Sequence, residues 1–202
     1  MVFARMDDLV MQDKWRLLTN KMIYREKQKS FPVVKVEQDS GISYGRIWQL
    51  CMSSVLTASA HDVSYLLLHN KLAVPDRLFR IGVRADPYCD ECPGAVLSDC
   101  EHFFCSCTRV MGSWVWVKSV LLDLLGIHDM PNGQILGYRF QKSIKENEVV
   151  WLLGNYLNKV WNDIYHRGKN NLNFEELFGF LKYKYKTDQV GSRYPLNIPG
   201  LS

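Results

Sequence analysis

Five of the six cysteines lie between positions 89 and 107, and their spacing is that of a metal site. Cys89 and Cys92 form a Cys-x2-Cys pair, and His102 and Cys107 follow as a His-x4-Cys pair. Two thiolates at this spacing can bind one ion from a tight turn, and the second pair can complete a tetrahedron. Three sulfur ligands and one nitrogen ligand suit Zn²⁺ in a closed structural site. The pattern therefore predicts zinc as the cofactor, and binding rather than catalysis.

Spacing alone leaves two of the four ligands open. Cys89 and Cys92 are one pair, and the candidates for the other two places are Cys100, His102, Cys105 and Cys107. A redox role for Cys-x2-Cys requires a thioredoxin-like strand and helix around it. Here Pro87 precedes the pair and Pro93-Gly94 follows it, which predicts a turn instead.

Composition indicates a folded chain with a packed core. Its 202 residues are 47% hydrophobic and 23% charged, with a net charge of +4, so we expect one domain that can contact nucleic acid but need not. Neither a signal-peptide core nor an apolar run of membrane-spanning length is visible in the sequence. We therefore expect an intracellular chain, nuclear or cytoplasmic, whose cysteines bind metal rather than form disulfides.

Helical periodicity predominates, and it predicts a mainly α fold with a small zinc-stapled turn module inserted between helices. The predicted parts are an N-terminal helical segment (1–58), a zinc-binding region (59–126), a C-terminal helical segment packing on it (127–189) and a loosely ordered tail (190–202). The predicted helices cover 1–27, 110–125, 147–167 and 174–186, with one or two short helices in 42–60. A linker at 27–40 and a loop at 130–137 separate them.

A short helix is predicted to lead into the cysteines. Pro75 suits its first turn and Gly82 its end, with Leu78, Phe79 and Ile81 forming its buried face. Ser59 or Asp62 is expected to cap the helix that precedes it. Four tryptophans are expected to lie in the core: Trp114, Trp116, Trp151 and Trp161.

Several of these features together resemble one known family. The matching text is Leu72–Val83 (LAVPDRLFRIGV), the Cys-x2-Cys pair, Cys100–Cys107 (CEHFFCSC) and Trp114. This text is similar to the reverse-transcriptase zinc-binding domain, which lies near the C-terminal end of non-LTR (LINE-type) retrotransposon polyproteins. The resemblance spans about residues 60–120. Two departures are Val74, where Leu is commoner, and the single residue between Pro75 and Arg77.

The resemblance implies the ligand set Cys89, Cys92, His102 and Cys107, with Cys100 and Cys105 as spare thiols. It also implies a module that associates with RNA or DNA and is not catalytic by itself. Because Cys105 lies between His102 and Cys107, the fourth ligand is either Cys107 or Cys105. No nucleophile elbow, P-loop or HExxH motif occurs in the sequence, so no enzyme is predicted.

The predicted nucleic-acid contacts are the cations that precede the cysteines, namely Lys71, Arg77, Arg80 and Arg84. Phe103 and Phe104 either stack on bases or, as we favour, pack beneath the metal turn. The competing hypothesis is a zinc-stabilised protein-interaction or dimerisation module, whose partner is a second copy or the rest of a reverse-transcriptase polyprotein.

Overall fold

A computed structural model describes residues 42–191 and 196–201 of the chain. The helix predicted for 1–27 and the linker predicted for 27–40 lie outside these residues. Within them the fold is mainly helical and contains no strand, only an isolated antiparallel bridge between Tyr88 and Leu97. The prediction of a mainly α fold is confirmed. The α-helices are α1 (Tyr44–Cys51), α2 (Ala58–Leu68), α3 (Pro75–Arg80), α4 (Met111–Leu125), α5 (Asn132–Leu136), α6 (Glu146–Val160) and α7 (Phe174–Gly191).

Two short π-helical segments complete the architecture. The first π-turn (His102–Ser106) follows the cysteine pair, and the second π-turn (Trp161–His166) continues directly from α6. The predicted helix at 147–167 therefore exists, but its last part is wound as a π-helix. Within the described ranges, no helix has the length and apolar character needed to cross a membrane.

Helix α6 is the centre of the core. Residues 149–157 are all buried, because α2, α4 and α7 each pack on a different side of this helix. A helix that is apolar on all sides is stable only when it is enclosed in this way. Trp114, Trp151 and Trp161 are buried as predicted, while Trp116 lies partly exposed against Phe174 and Phe178 of α7.

The helix ends follow the usual capping chemistry, with one correction. The Thr57 hydroxyl accepts a hydrogen bond from the Ala60 N–H and caps α2, so the prediction of Ser59 or Asp62 as the cap is wrong. Both of those residues lie inside the helix. Helix α4 ends as predicted at Gly126, whose φ of 69° is the left-handed conformation that glycine adopts without strain.

The predicted buried face of α3 is also wrong. Phe79 is 45% exposed and Ile81 is 54% exposed. The helix has only six residues and ends at Arg80, so it is too short to lay an apolar stripe on the core. Leu72 and Val74, just before the helix, are buried and anchor it instead.

Two segments that we expected to be irregular are ordered. Residues 132–136 form α5 rather than a loop, with Ile135 and Leu136 buried. In the predicted loose tail, Leu196, Ile198 and Leu201 are buried, and the Tyr185 hydroxyl donates to the Leu196 carbonyl at 2.6 Å. These apolar side chains add to the core, which explains why residues 196–201 are packed. The domain boundaries remain predictions.

Candidate metal centre

The first cysteine pair is held by a short loop, residues 87–98, which we call the cysteine loop. The Cys89 N–H donates to the Val96 carbonyl and the Ser98 N–H donates to the Pro87 carbonyl, each at 2.9 Å. These bonds flank the Tyr88–Leu97 bridge and close the loop. The chain reverses near Gly94, whose φ is 82°. The predicted turn around Cys-x2-Cys is confirmed.

The second ligand pair is positioned by the first π-turn. The Cys107 N–H donates to the His102 carbonyl at 2.8 Å, the i→i+5 bond that defines such a turn. In an α-helix, residues five apart point about 140° away from each other around the axis. The wider π-turn brings the His102 and Cys107 side chains towards the same side. The Asp99 carboxylate accepts from the His102 N–H at 2.7 Å and fixes the start of the turn.

The four ligand atoms all lie within 4.8 Å of one another, and the separations between them fit a tetrahedral site. The Cys107 sulfur is 3.8 Å from that of Cys89 and 3.9 Å from that of Cys92, and Cys92 Sγ is 3.5 Å from His102 Nε2. A tetrahedral ion with bonds of about 2.3 Å to sulfur and about 2.05 Å to nitrogen separates two sulfurs by about 3.8 Å, and a sulfur and the nitrogen by about 3.6 Å. The observed separations agree, so these residues can hold a metal ion.

The second ring nitrogen of His102 makes the contact that is expected when a histidine binds metal. Its Nε2 faces the sulfurs, and its Nδ1 lies 3.4 Å from the Ser106 hydroxyl. A hydrogen bond to the second ring nitrogen orients a ligand imidazole. Burial lowers the pKa of His102, and the charge of Arg109 lowers it too, against the opposing effect of Asp99. The neutral imidazole that binds metal is therefore favoured.

Residues that follow the last cysteine tune the thiols, and sequence reasoning missed them. Burial opposes ionisation of Cys92, but hydrogen bonds from the Thr108 N–H and hydroxyl, together with those involving Cys107 and Cys89, more than offset it and lower its pKa. Burial raises the pKa of Cys107, and hydrogen bonds from Arg109 oppose that rise. The sequence signal that could have identified Thr108 and Arg109 was their position directly after Cys107.

The spare thiols lie apart from this cluster. The group of four whose ligand atoms are all within 4.8 Å of one another consists of Cys89, Cys92, His102 and Cys107. Cys105 is buried in the π-turn, where burial raises its pKa, and Cys100 contacts Asn70, with burial raising its pKa to about 11. All six cysteines lie in the described ranges, and none is in a disulfide. The geometry favours Cys107 over Cys105.

The π-turn packs on the core through its aromatic residues. Phe103 and Phe104 are buried, and their ring centroids lie 5.6 and 6.4 Å from Trp161. The Tyr156 hydroxyl donates to the Phe104 carbonyl at 2.5 Å. Because both phenylalanines are enclosed, the hypothesis that they stack on bases is wrong and the packing interpretation holds.

The predicted cationic face is largely paired within the chain. Arg77 donates to the Asn70 carbonyl, Arg80 pairs with Asp76, and Arg84 pairs with Asp90 and Asp86. Arg84 lies beyond the end of α3, so it does not extend the face that Arg77 and Arg80 share. Lys71 is exposed.

No protein-family model matches this chain, and no curated protein or solved structure matches it either. The similarity to the reverse-transcriptase zinc-binding domain therefore rests on the residues quoted above and stays a prediction.

Proposed function

We propose that this chain is a zinc-stabilised module that binds RNA or DNA and has no catalytic activity of its own. The proposal of a zinc site rests on one observation. Four ligand atoms lie within 4.8 Å of one another, at separations that fit a tetrahedral ion. Thiolate and imidazole ligands in this geometry suit Zn²⁺ better than ions that prefer oxygen. Protein side chains fill all four positions, which leaves none for a substrate or water. A closed site of this kind supports a structural role.

Native mass spectrometry of the purified chain tests the zinc site directly. We expect one zinc ion per chain, lost in Cys89→Ser and in Cys107→Ser. Cys105→Ser is the matched control, because it removes a thiol from the same turn without touching the four ligands. Metal that survives Cys107→Ser but is lost in Cys105→Ser would overturn the ligand set and the family resemblance together.

Exposed cations beside the metal centre support nucleic-acid binding. Arg80 and Lys71 are exposed, and Arg77 lies partly exposed on the same helix face as Arg80. The Arg80 side chain is 51% exposed, and an ion pair that is open to solvent in this way is worth about 1 kcal/mol or less. A nucleic-acid phosphate can therefore replace it. The resemblance to the reverse-transcriptase zinc-binding domain points the same way.

The double variant Arg77→Ala plus Arg80→Ala tests this face. We expect weaker binding of a labelled oligonucleotide and a shallower dependence of affinity on salt, because phosphate contacts release counterions. Lys142→Ala plus Lys145→Ala is the control, since it removes the same charge from two exposed lysines elsewhere. Equal weakening by both double variants would indicate a general charge effect and would count against this face.

A specific observation favours the second candidate function, a protein-interaction or dimerisation module. Large apolar side chains are exposed on α3, on the residues that follow it and on the cysteine loop: Phe79, Ile81, Val83, Tyr88, Val96 and Leu97. Tyr88 and Leu97 are directly opposite in the bridge, so their side chains share one face. Exposed apolar groups gathered in this way are typical of surfaces that another protein covers.

Sedimentation analysis separates the two candidates. A dimer held by this apolar surface persists in high salt and dissociates in Leu97→Lys, whereas Ile144→Lys, which changes an exposed apolar residue elsewhere, leaves it intact. If the protein sediments as a monomer at all accessible concentrations, the dimerisation hypothesis is wrong.

A further inference from the structure

The second π-turn presents an exposed aromatic stack. The rings of Trp161 and Tyr165 lie parallel, with an interplanar angle of 10° and centroids 4.1 Å apart. Trp161 is buried, but Tyr165 is 42% exposed. The His166 ring stands edge-on to Tyr165 at 5.2 Å and is exposed as well. The Trp161 ring thus covers one face of the Tyr165 ring and His166 packs against it as well, which leaves Tyr165 42% exposed to solvent.

The ion-pair network formed by residues close to Tyr165 in the chain contains more cations than anions. Asp163 is buried and pairs with Lys159, Arg167 and Lys169. Glu176 pairs with Lys159 and Lys169. Three cations thus face two carboxylates. The side chain of Arg167, two residues after Tyr165, is 66% exposed and therefore accessible to a ligand.

The stack is tied to the metal centre through packed side chains. Trp161 contacts Phe103 and Phe104 of the first π-turn, which begins at His102 and is closed by the bond from the Cys107 N–H. The Leu172 N–H donates to the Arg109 carbonyl, and the Ser113 hydroxyl donates to the Leu172 carbonyl. The first π-turn and the residues that follow the cluster are therefore held against residues 161–172.

We propose that Tyr165, supported by Trp161, stacks on an unpaired base of a single-stranded nucleic acid, while Arg167 and Lys169 contact the adjacent phosphates. This inference rests on the proposed function and names the surface at which the nucleic acid binds. An exposed aromatic ring next to a net positive charge is the arrangement that binds single strands without sequence preference. A base laid on the open face of Tyr165 extends the stack that Trp161 begins. The predicted arginine face on α3 becomes a secondary phosphate contact.

Fluorescence anisotropy with labelled oligouridine and oligothymidine of about 12 nucleotides tests this site. Tyr165→Leu keeps an apolar cover on Trp161 but removes the ring, and we expect about tenfold weaker binding. Tyr165→Phe keeps the ring and is expected to bind like the original chain. Tyr183→Leu, which changes a 69% exposed tyrosine on α7, is the matched control. The two oligonucleotides distinguish RNA from DNA as the preferred strand.

Photocrosslinking of the unaltered chain gives a second measurement that does not depend on how the variants fold. A strand carrying 4-thiouridine is expected to crosslink to the peptide that contains Tyr165. Crosslinks confined to α3, or unchanged affinity in Tyr165→Leu with its metal content intact, would overturn the location and leave nucleic-acid binding standing. Absence of binding to both oligonucleotides by the metal-loaded original chain would overturn the proposed function itself.

Discussion

The backbone N–H of Cys107 donates to the carbonyl of His102 at 2.8 Å, and this one bond sets the register of the metal centre. It closes a π-turn, the conformation in which a His-x4-Cys spacing can bring both side chains to one ion. Cys105, three residues after His102, would suit an α-helical turn better. In the observed π-turn, Cys105 is instead buried on the side that faces the core.

Ser106→Ala is expected to weaken zinc binding about tenfold, because the imidazole of His102 loses the partner of its second nitrogen. Competition with a chromophoric chelator measures the affinity. Ser119→Ala, at an exposed site on α4, is the control and should not change it. Equal affinities in all three proteins would mean that packing alone orients His102.

Arg109→Gln is expected to shift metal loading to higher pH. Burial raises the pKa of Cys107, and the backbone N–H, the side-chain hydrogen bond and the charge of Arg109 oppose that rise. The substitution keeps the N–H but removes the other two, so the pKa climbs further. Metal competes with protons for the thiolate, and the pH of half-loading must then increase. Cobalt substitution followed by its thiolate absorbance measures this pH. Arg109→Lys, which keeps the charge, should shift it less; an identical shift would contradict the electrostatic cause.

Asp163→Asn is expected to cost about 3 kcal/mol of unfolding free energy at neutral pH, because it removes the buried carboxylate and leaves Lys159, Arg167 and Lys169 facing the single carboxylate of Glu176. Burial raises the pKa of Asp163, but hydrogen bonds and charges of Lys159 and Lys169 outweigh it and lower the pKa overall. A lowered carboxylate pKa contributes stability above the unfolded value of about 3.9, and this contribution is lost as pH falls through the folded pKa.

Urea denaturation of both proteins, side by side from neutral to acid pH, checks this prediction. The difference in unfolding free energy should be largest at neutral pH and shrink below about pH 4. A difference that stays constant with pH would show that the loss comes from packing rather than from charge.

Two glycines provide a matched test of helix packing. A Cβ on Gly154 of α6 would collide with Leu56 Cδ2 and lie 3.1 Å from its Cδ1, so Gly154→Ala should cost about 1–2 kcal/mol through overpacking. Gly179 of α7 has no atom within 4 Å of such a Cβ. Gly179→Ala should therefore stabilise the fold by about 0.5–1 kcal/mol through helix propensity. Thermal denaturation of the two variants should give shifts of opposite sign.

Helix existence was predictable because it depends on local patterns. The apolar residues of α6 and the glycine after α4 are visible in the sequence, and both helices lie close to their predicted positions. The exposure of Phe79 and Ile81 was not predictable, because burial depends on what packs against a segment. A six-residue helix has too few contacts for its apolar residues to decide that.

The sequence by itself determined the chemistry available to this protein: the Cys-x2-Cys pair, a histidine and further cysteines within a span of 19 residues. Only the tertiary structure decided which of them converge. Spacing constrains residues along the chain, whereas a metal site requires atoms to meet in space. That meeting depends on the π-turn bond from Cys107 to His102 and on the packing of Phe103 and Phe104 against Trp161. The same packing leaves the Tyr165 ring at the surface, a feature that no sequence pattern specifies.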